Sequence, residues 1–314
     1  MQSFNKANKA FTLIELLVVM SIIALLIGIL LPALSAARMS ARTTACLSNT
    51  RSLGVATMAY GSDNKTYFPS SYHYINDANS DAGYVQWSGI FLKYNYFDAK
   101  EAFVCPEDKI GGWAPTCFTP EMVPNPPAGQ FPLYVLDDVQ APRLSYVANE
   151  VLMPRYKYDS LKTILKLARG GEIEKGAGTI MFAEYTEDPL GIEGTSGTGG
   201  DAKKTHRPTH GVQFAGGVQY DGEHYDNATP VEAISYDEAL AYFATPAKTN
   251  PFIQYISPNR HRLNSNYTMA DGHSEGMTLK QTLDPDDFKW GLRMYTAISM
   301  PKVLVNASTT EYVK

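Results

Sequence analysis

From Leu16 to Leu34 the chain carries no charged side chain, and only Ser21, Gly28 and Pro32 interrupt an otherwise apolar run. Such a run is long enough to cross a hydrocarbon layer of roughly 30 Å. Beyond Pro32 the pattern changes. Met39, Cys46, Leu53 and Tyr60 recur at every seventh position, with the small Ala41, Ala45, Ala56 and Ala59 nearby, which predicts one stripe of an amphipathic helix. Gly61, Ser62, Asp63 and Asn64 follow as a predicted stop. Taken as continuous from Phe11, the two segments predict a helix about 75 Å long.

Downstream of residue 64, short apolar segments alternate with turn signals. Three of them predict short helices: "QWSGIFLKYNYF", "SLKTILKLARGG" with Ser160 as cap and Gly170 as stop, and "SYDEALAYFA", where Ser235 and Glu238 have capping-box spacing. "RLSYVANEVLM", "GTIMFAEYTED" and "NYTMADGHSEGMTL" predict strands. In the last, Tyr267 and Met269 alternate away from an Asp271-Gly272 turn, a strong hairpin signal. The predicted class is therefore α+β, a long N-terminal helix followed by an antiparallel sheet. Between Asp188 and Pro230 the sequence is rich in Gly and Thr and predicts a long mobile insertion, about 188–230.

Composition adds limits. The 314 residues, 44% hydrophobic, suffice for at least one sizeable core. A net charge of -5 supplies no basic footprint for nucleic acid. The 19 Pro, 24 Gly and 20 Tyr against 19% charged residues describe a loop-rich, aromatic head of the kind found outside the cytoplasm. Cys46, Cys105 and Cys117 allow three pairings and leave one thiol over. No CxxC, nucleophile elbow, phosphate loop, dinucleotide fingerprint or HExxH occurs.

The flanks of the apolar run give it a more specific meaning. A polar leader, "MQSFNKANKA" with Lys6 and Lys9, precedes "FTLIE". This arrangement, carried by Ala10-Phe11-Thr12-Leu13-Ile14-Glu15, resembles the prepilin signal shared by type IV pilins and the pseudopilins of type II secretion systems. The resemblance implies cleavage between Ala10 and Phe11 by a membrane aspartic peptidase, N-methylation of Phe11, and retention of the helix in the mature protein. Pro32 stands where many pilins carry a helix-bending proline. Ala10 departs from the Gly usual before the cut, so slower cleavage is expected. A secretory signal peptide cut in "ALSAAR" and a plain signal anchor are the alternative readings of the same run, and both leave Glu15 without a reason.

Glu15 is the costly residue in this segment. An acid in a membrane helix costs about 2.5–3.5 kcal/mol on insertion scales and asks for a partner. The resemblance implies one, the amine of Phe11 on a neighbouring subunit, which exists only after cleavage. Two unit charges about 4 Å apart attract by roughly 4 kcal/mol at an effective dielectric near 20, before desolvation is subtracted. Snorkelling to the interface, or protonation, is the other account of Glu15. Lys6 and Lys9 before the helix balance Arg38 and Arg42 after it, so charge does not set orientation. The resemblance does: single-pass in the inner membrane, leader inside, head in the periplasm or outside the cell. The implied domains are a leader (1–10), a transmembrane and assembly helix (11–34), a helix packed on the head (35–61) and the head itself (62–314). The implied partners are copies of the chain or other pilin-like subunits, the prepilin peptidase, an inner-membrane assembly platform and lipid.

Several segments further resemble the large pilin-like proteins abundant in planctomycetes: "CLSNTRSLGVATMAY", "FVCPED", "RLSYVANE", "GTIMFAE", and His261 followed after nine residues by Asp271-Gly272. A head this large argues against the role of a major shaft subunit. The expected role is structural and non-enzymatic, in a pilus-like or secretion-pseudopilus filament. A membrane-anchored enzyme or carbohydrate-binding protein displayed on a pilin-type stalk is the alternative.

Candidate chemistry in the head is sparse. His206 and His210, with Glu223, His224 and Asp226 after them, offer a divalent-metal donor set or else a solvated loop. His261, His273 and Asp271 could serve a hydrolase or simply hydrogen-bond across the sheet. Secretion pseudopilins of the major type bind calcium in a C-terminal loop, for which Asp271, Asp284, Asp286 and Asp287 are candidates without a matching motif. Cys46 with Cys105 would tie head to helix in an oxidising compartment; Cys105 with Cys117, or free buried thiols, are the competing states.

Overall fold

The computed structural model describes residues 13–74, 84–114, 140–155, 167–195, 201–214, 216–217, 219 and 231–292. The chain divides into two units, Met1–Arg42 and Thr43–Lys314. Helix α1, Leu13–Asp63, begins in the first and ends in the second, and stays helical through Pro32.

In the first unit, every side chain from 13 to 34 is exposed. The reason is compositional: apolar residues occupy all sides of this segment, so no single stripe faces a core. In the second unit one face of α1 is buried, formed by Cys46, Thr50, Leu53, Gly54, Ala56 and Thr57. The helix ends at Asp63, inside the predicted stop Gly61–Asn64. Gly61 remains helical, and the turn-off is made by Lys65 and Thr66 at φ 54° and 64°. The Thr66 amide donates to the Gly61 carbonyl at 2.8 Å, closing the end. Pairing of Tyr67 with Arg169, whose guanidinium lies 4.3 Å above the Tyr67 ring, holds the segment that follows.

The head follows as β1 (Tyr72–Tyr74), β2 (Tyr84–Gln86), α2 (Trp87–Lys93), β3 (Tyr146–Ala148) and β4 (Ile180–Glu184). Then come β5 (Glu193–Thr195), β6 (Asp201–Lys203), β7 (Val212–Phe214), β8 (Val231–Ala233) and α3 (Tyr236–Ala244). Strands β9 (Ser265–Met269) and β10 (Ser274–Met277) and helix α4 (Leu279–Thr282) complete the described elements. Strands β10, β9, β4 and β3 lie in that order in one antiparallel sheet, with a bulge between Ile180 and Phe182. Three antiparallel pairs, β1–β2, β5–β6 and β7–β8, stand beside it. The fold is α+β, as the pattern predicts.

Both central strands, β4 and β9, are buried along their whole length, so the one-sided alternation expected of β9 is not what its surroundings require. On one face lies α1. The Thr268 hydroxyl donates to the Thr50 carbonyl at 3.0 Å. A Cβ on Gly54 would sit 2.6 Å from the Gly272 carbonyl oxygen and 2.8 Å from Thr268 Cγ2. Only a glycine lets the helix backbone come this close. On the other face Tyr267 meets Trp290 edge-on at 6.3 Å, and Asn149 donates to the Ile180 and Trp290 carbonyls.

The β9–β10 turn contains the predicted Asp271-Gly272 pair together with Ala270. Met269 and His273 close it around Ala270, Asp271 and Gly272, and Gly272 takes the left-handed position at φ 88°. Helix α3 carries the predicted capping box, with Ser235 and Glu238 each accepting from the other's backbone amide. Helix α2 covers Trp87–Lys93 of the predicted Gln86–Phe97. Most of the predicted helix from Ser160 lies outside the described residues, and its tail is a 3-10 turn over Gly170–Glu172. The Gly- and Thr-rich stretch differs most from expectation. Its described parts form β5, β6 and β7, and Thr205, His206, Thr209, His210 and Gln213 are buried. Glycines there serve close contact as well as turns: a Cβ on Gly211 would sit 2.5 Å from Trp290.

Candidate functional site

Four separate segments deliver side chains to one buried cluster in the head. The second half of α1 brings Thr43, Cys46 and Asn49. The loop after the 3-10 turn Lys100–Phe103 brings Cys105, β4 ends on Glu184, and the turn before β9 brings Arg260 and His261. Cys46 and Cys105 are joined by a disulfide with their Cα atoms 5.0 Å apart. Asn49 donates to the Val104 carbonyl at 3.2 Å, fixing the loop beside that bond.

His261 stands next to the sulfurs. Its Nε2 lies 2.7 Å from Glu184 Oε1 and 3.8 Å from Cys105 Sγ, and its Nδ1 lies 3.1 Å from Thr43 Oγ1. The other Glu184 oxygen, Oε2, accepts from the Ser265 hydroxyl at 2.6 Å and the Asn266 amide at 3.0 Å. A buried carboxylate is tolerable only with such partners. Its charge is felt nearby. Burial first, and Glu184 second, push the Tyr146 and Tyr267 phenols well above their ordinary range.

The neighbouring Arg260 forms a second charge centre. Its Nη1 lies 3.0 Å from Asp108 Oδ2 and 3.1 Å from Glu187 Oε1, and it also donates to the Tyr185 carbonyl. Asp108 follows Cys105 in "VCPED", so that loop is anchored by a disulfide at one residue and an ion pair three residues on. The Cys46, Cys105, Glu184 and His261 donor atoms all lie within 4.8 Å of one another and all four residues are buried. Two sulfurs, an imidazole and a carboxylate make a donor set of the kind zinc takes.

The other candidate residues are placed differently. His206 is buried edge-on to Tyr72 at 4.8 Å. His210 is also buried, with Nε2 3.6 Å from Glu150 Oε2, and Glu150 pairs with Arg155 at 2.8 Å. Neither sits on a solvated loop. Glu223, His224, Asp226 and Cys117 lie outside the described residues, as do Ala10 and Phe11. His273 does not join His261; it sits exposed at the hairpin tip, Nδ1 2.6 Å from Asp271 Oδ1. Burial raises the Asp271 carboxyl, but the His273 backbone amide and ring outweigh it and leave it lowered. Asp284 Oδ1 accepts from the Asp286 amide, and Asp287 pairs with Lys289 at 2.6 Å. Glu15 is exposed in the first turn of α1.

Residues 5–31 match the prokaryotic N-terminal methylation motif. No curated protein and no solved structure matches the chain. The motif supports a type IV pilin-like family. With the exposed apolar segment of α1, it supports a membrane-anchored chain. Sequence reasoning missed Glu184 and Thr43 as members of the buried cluster. Glu184 had a signal: it is the one charged residue closing the apolar run "IMFAE". Thr43 had none, because a threonine on a helix is common.

Proposed function

We propose that the chain is a structural subunit of a type IV pilus-like or type II secretion pseudopilus filament. It is cut between Ala10 and Phe11, methylated on Phe11, and assembled through the N-terminal part of α1. The observation that carries this reading is the methylation motif at 5–31 running directly into a helix whose side chains 13–34 are all exposed and mostly apolar. In water such a surface is untenable, so bilayer first and neighbouring helices later are its natural solvents.

Glu15 supplies register in this scheme. It lies in the first helical turn, close in sequence to the new amine at Phe11, and pairs with that amine on an adjacent subunit. Methylation keeps the charge, so the pair survives modification. The partners are other pilin-like subunits, the peptidase and an inner-membrane assembly platform. The head faces the periplasm or the exterior, and no catalytic role is assigned to it.

The test is intact-mass measurement and N-terminal sequencing of the protein from a host that carries a prepilin peptidase. A mature chain beginning at methylated Phe11 is expected. A start at residue 1 or after Ala37 removes the basis of the proposal. Glu15→Ala is expected to leave membrane insertion unchanged while lowering filament incorporation at least tenfold, scored by shearing and immunoblot.

A further inference from the structure

The cluster around His261 is organised beyond what a disulfide needs. A disulfide requires neither an imidazole nor a carboxylate beside it. Burying both next to sulfur is costly unless they have work to do or are well partnered. The partnering itself has a direction. The outward-facing atoms, His261 Nδ1 and Glu184 Oε2, are engaged by Thr43 Oγ1 and by Ser265 and Asn266. The facing atoms, His261 Nε2 and Glu184 Oε1, lie 2.7 Å apart, with Nε2 also 3.8 Å from Cys105 Sγ and Oε1 accepting a long contact from the Asn266 side-chain amide at 3.5 Å. This is how metal ligands are usually held, with the far atom of each ligand fixed by an outer partner.

We propose that Cys46, Cys105, His261 and Glu184 form a zinc site in the dithiol form of the head, and that disulfide and zinc are alternative states of the same four residues. With both thiols deprotonated, two sulfurs, His261 Nε2 and Glu184 Oε1 supply a tetrahedral set. Opening the S–S bond lets the sulfurs separate to about 3.8 Å, the edge of a tetrahedron with zinc–sulfur bonds of about 2.3 Å. His261 then donates its Nδ1–H to Thr43 Oγ1, and Glu184 keeps its Ser265 and Asn266 contacts through Oε2. All four ligand residues, and Thr43, belong to the unit Thr43–Lys314, so the proposal does not rest on the filament role.

The interconversion balances with a disulfide oxidant, R–S–S–R. The two zinc-bound thiolates give up one electron each and form the Cys46–Cys105 bond. The oxidant's S–S bond breaks and takes both electrons, leaving two RS⁻ and free Zn²⁺. In reverse, a dithiol or phosphine reductant supplies the electron pair and zinc displaces the protons from the thiols.

The test uses the full-length chain in detergent, reduced with a phosphine, stripped with a chelator and kept anaerobic. Titration with Co²⁺ is expected to give one ion per chain, tetrahedral d–d bands and a thiolate-to-cobalt charge-transfer band, all lost on adding equimolar zinc. The disulfide form is expected to take up none. X-ray absorption of the zinc-loaded wild-type chain should count two sulfur and two lighter ligands, a result that needs no variant to fold. Cys117→Ser should bind as wild type, whereas Thr43→Val should bind 10–100-fold more weakly with unchanged band positions. If the reduced chain loses its near-UV circular dichroism, zinc should restore it. Equal uptake by reduced and disulfide forms overturns the proposal. So does wild-type affinity in Cys46→Ser, an octahedral cobalt spectrum, or failure of zinc to restore a lost fold.

Discussion

Gly28 and Gly54, two of the three glycines in helix α1, stand in opposite situations. A Cβ on Gly28 would meet nothing within 4 Å, whereas one on Gly54 would run into the Gly272 carbonyl and Thr268. The same backbone geometry therefore serves two purposes. In the first half, apolar side chains face outward on all sides, and every side chain from 13 to 34 is exposed. In the second half, a single face of small and apolar residues lets the sheet approach to backbone contact, and the partners are internal. The contrast shows that hydrophobicity alone does not predict burial. What predicts it is whether apolar residues are confined to one stripe.

The largest expected effect comes from cutting the covalent tie of the packed half. Cys46→Ser opens a cross-link spanning 59 residues, worth about 4 kcal/mol in the chain-entropy model. The head's melting temperature in metal-free buffer should fall on the order of 10 °C. An unchanged value would mean that the helix is held by packing alone. Glu184→Gln, next in size, keeps the shape but removes the charge that accepts from Ser265 and Asn266 and pairs with His261. It should cost about 2–3 kcal/mol by denaturant unfolding.

Gly54→Ala and Gly28→Ala test the comparison directly, one substitution on one helix. The first should destabilise the head by about 1–2 kcal/mol through overpacking against the hairpin. The second should leave the head's unfolding midpoint where it was. Equal effects at both positions would dissolve the distinction between the two halves.

The smallest effect concerns the cap of α3. Burial raises the Glu238 carboxyl, but hydrogen bonds from the Ser235 side chain and backbone and from Gln213 outweigh it and hold it below its ordinary 4.5. A lowered folded value means that the contribution is complete above the ordinary carboxylate range and is lost as pH falls through the folded value. Glu238→Gln should flatten that part of the pH–stability curve by a few tenths of a kcal/mol, since the site is largely solvated.

Much of the fold was legible because it rests on local rules. The apolar run, the capping box at Ser235 and the Asp271-Gly272 turn each follow from side-chain chemistry within a few residues. The errors have a common cause as well. The Gly- and Thr-rich stretch has the composition of a mobile insertion, yet Gly211 within it admits Trp290, a contact made across the fold. The spacing of His206 and His210 groups them, while the structure buries each against a different partner, Tyr72 and Glu150. The helix itself ends at Asp63, within the predicted Gly61–Asn64 stop, and the positive-φ turn at Lys65 and Thr66 leads into the Tyr67–Arg169 pairing, which is remote in sequence.

By itself the sequence determined the membrane-compatible helix, the methylation motif at its start and the α+β class. Those depend on periodicity and on a contiguous string of residues, which one dimension carries in full. Only the tertiary structure decided that Cys46, Cys105, Glu184 and His261 share one buried pocket. Their positions are spread over more than two hundred residues, and nothing in a linear pattern states which turn of a helix faces which strand end. That choice is made by backbone approach at Gly54 and by the sheet order β10-β9-β4-β3, and both are properties of packing.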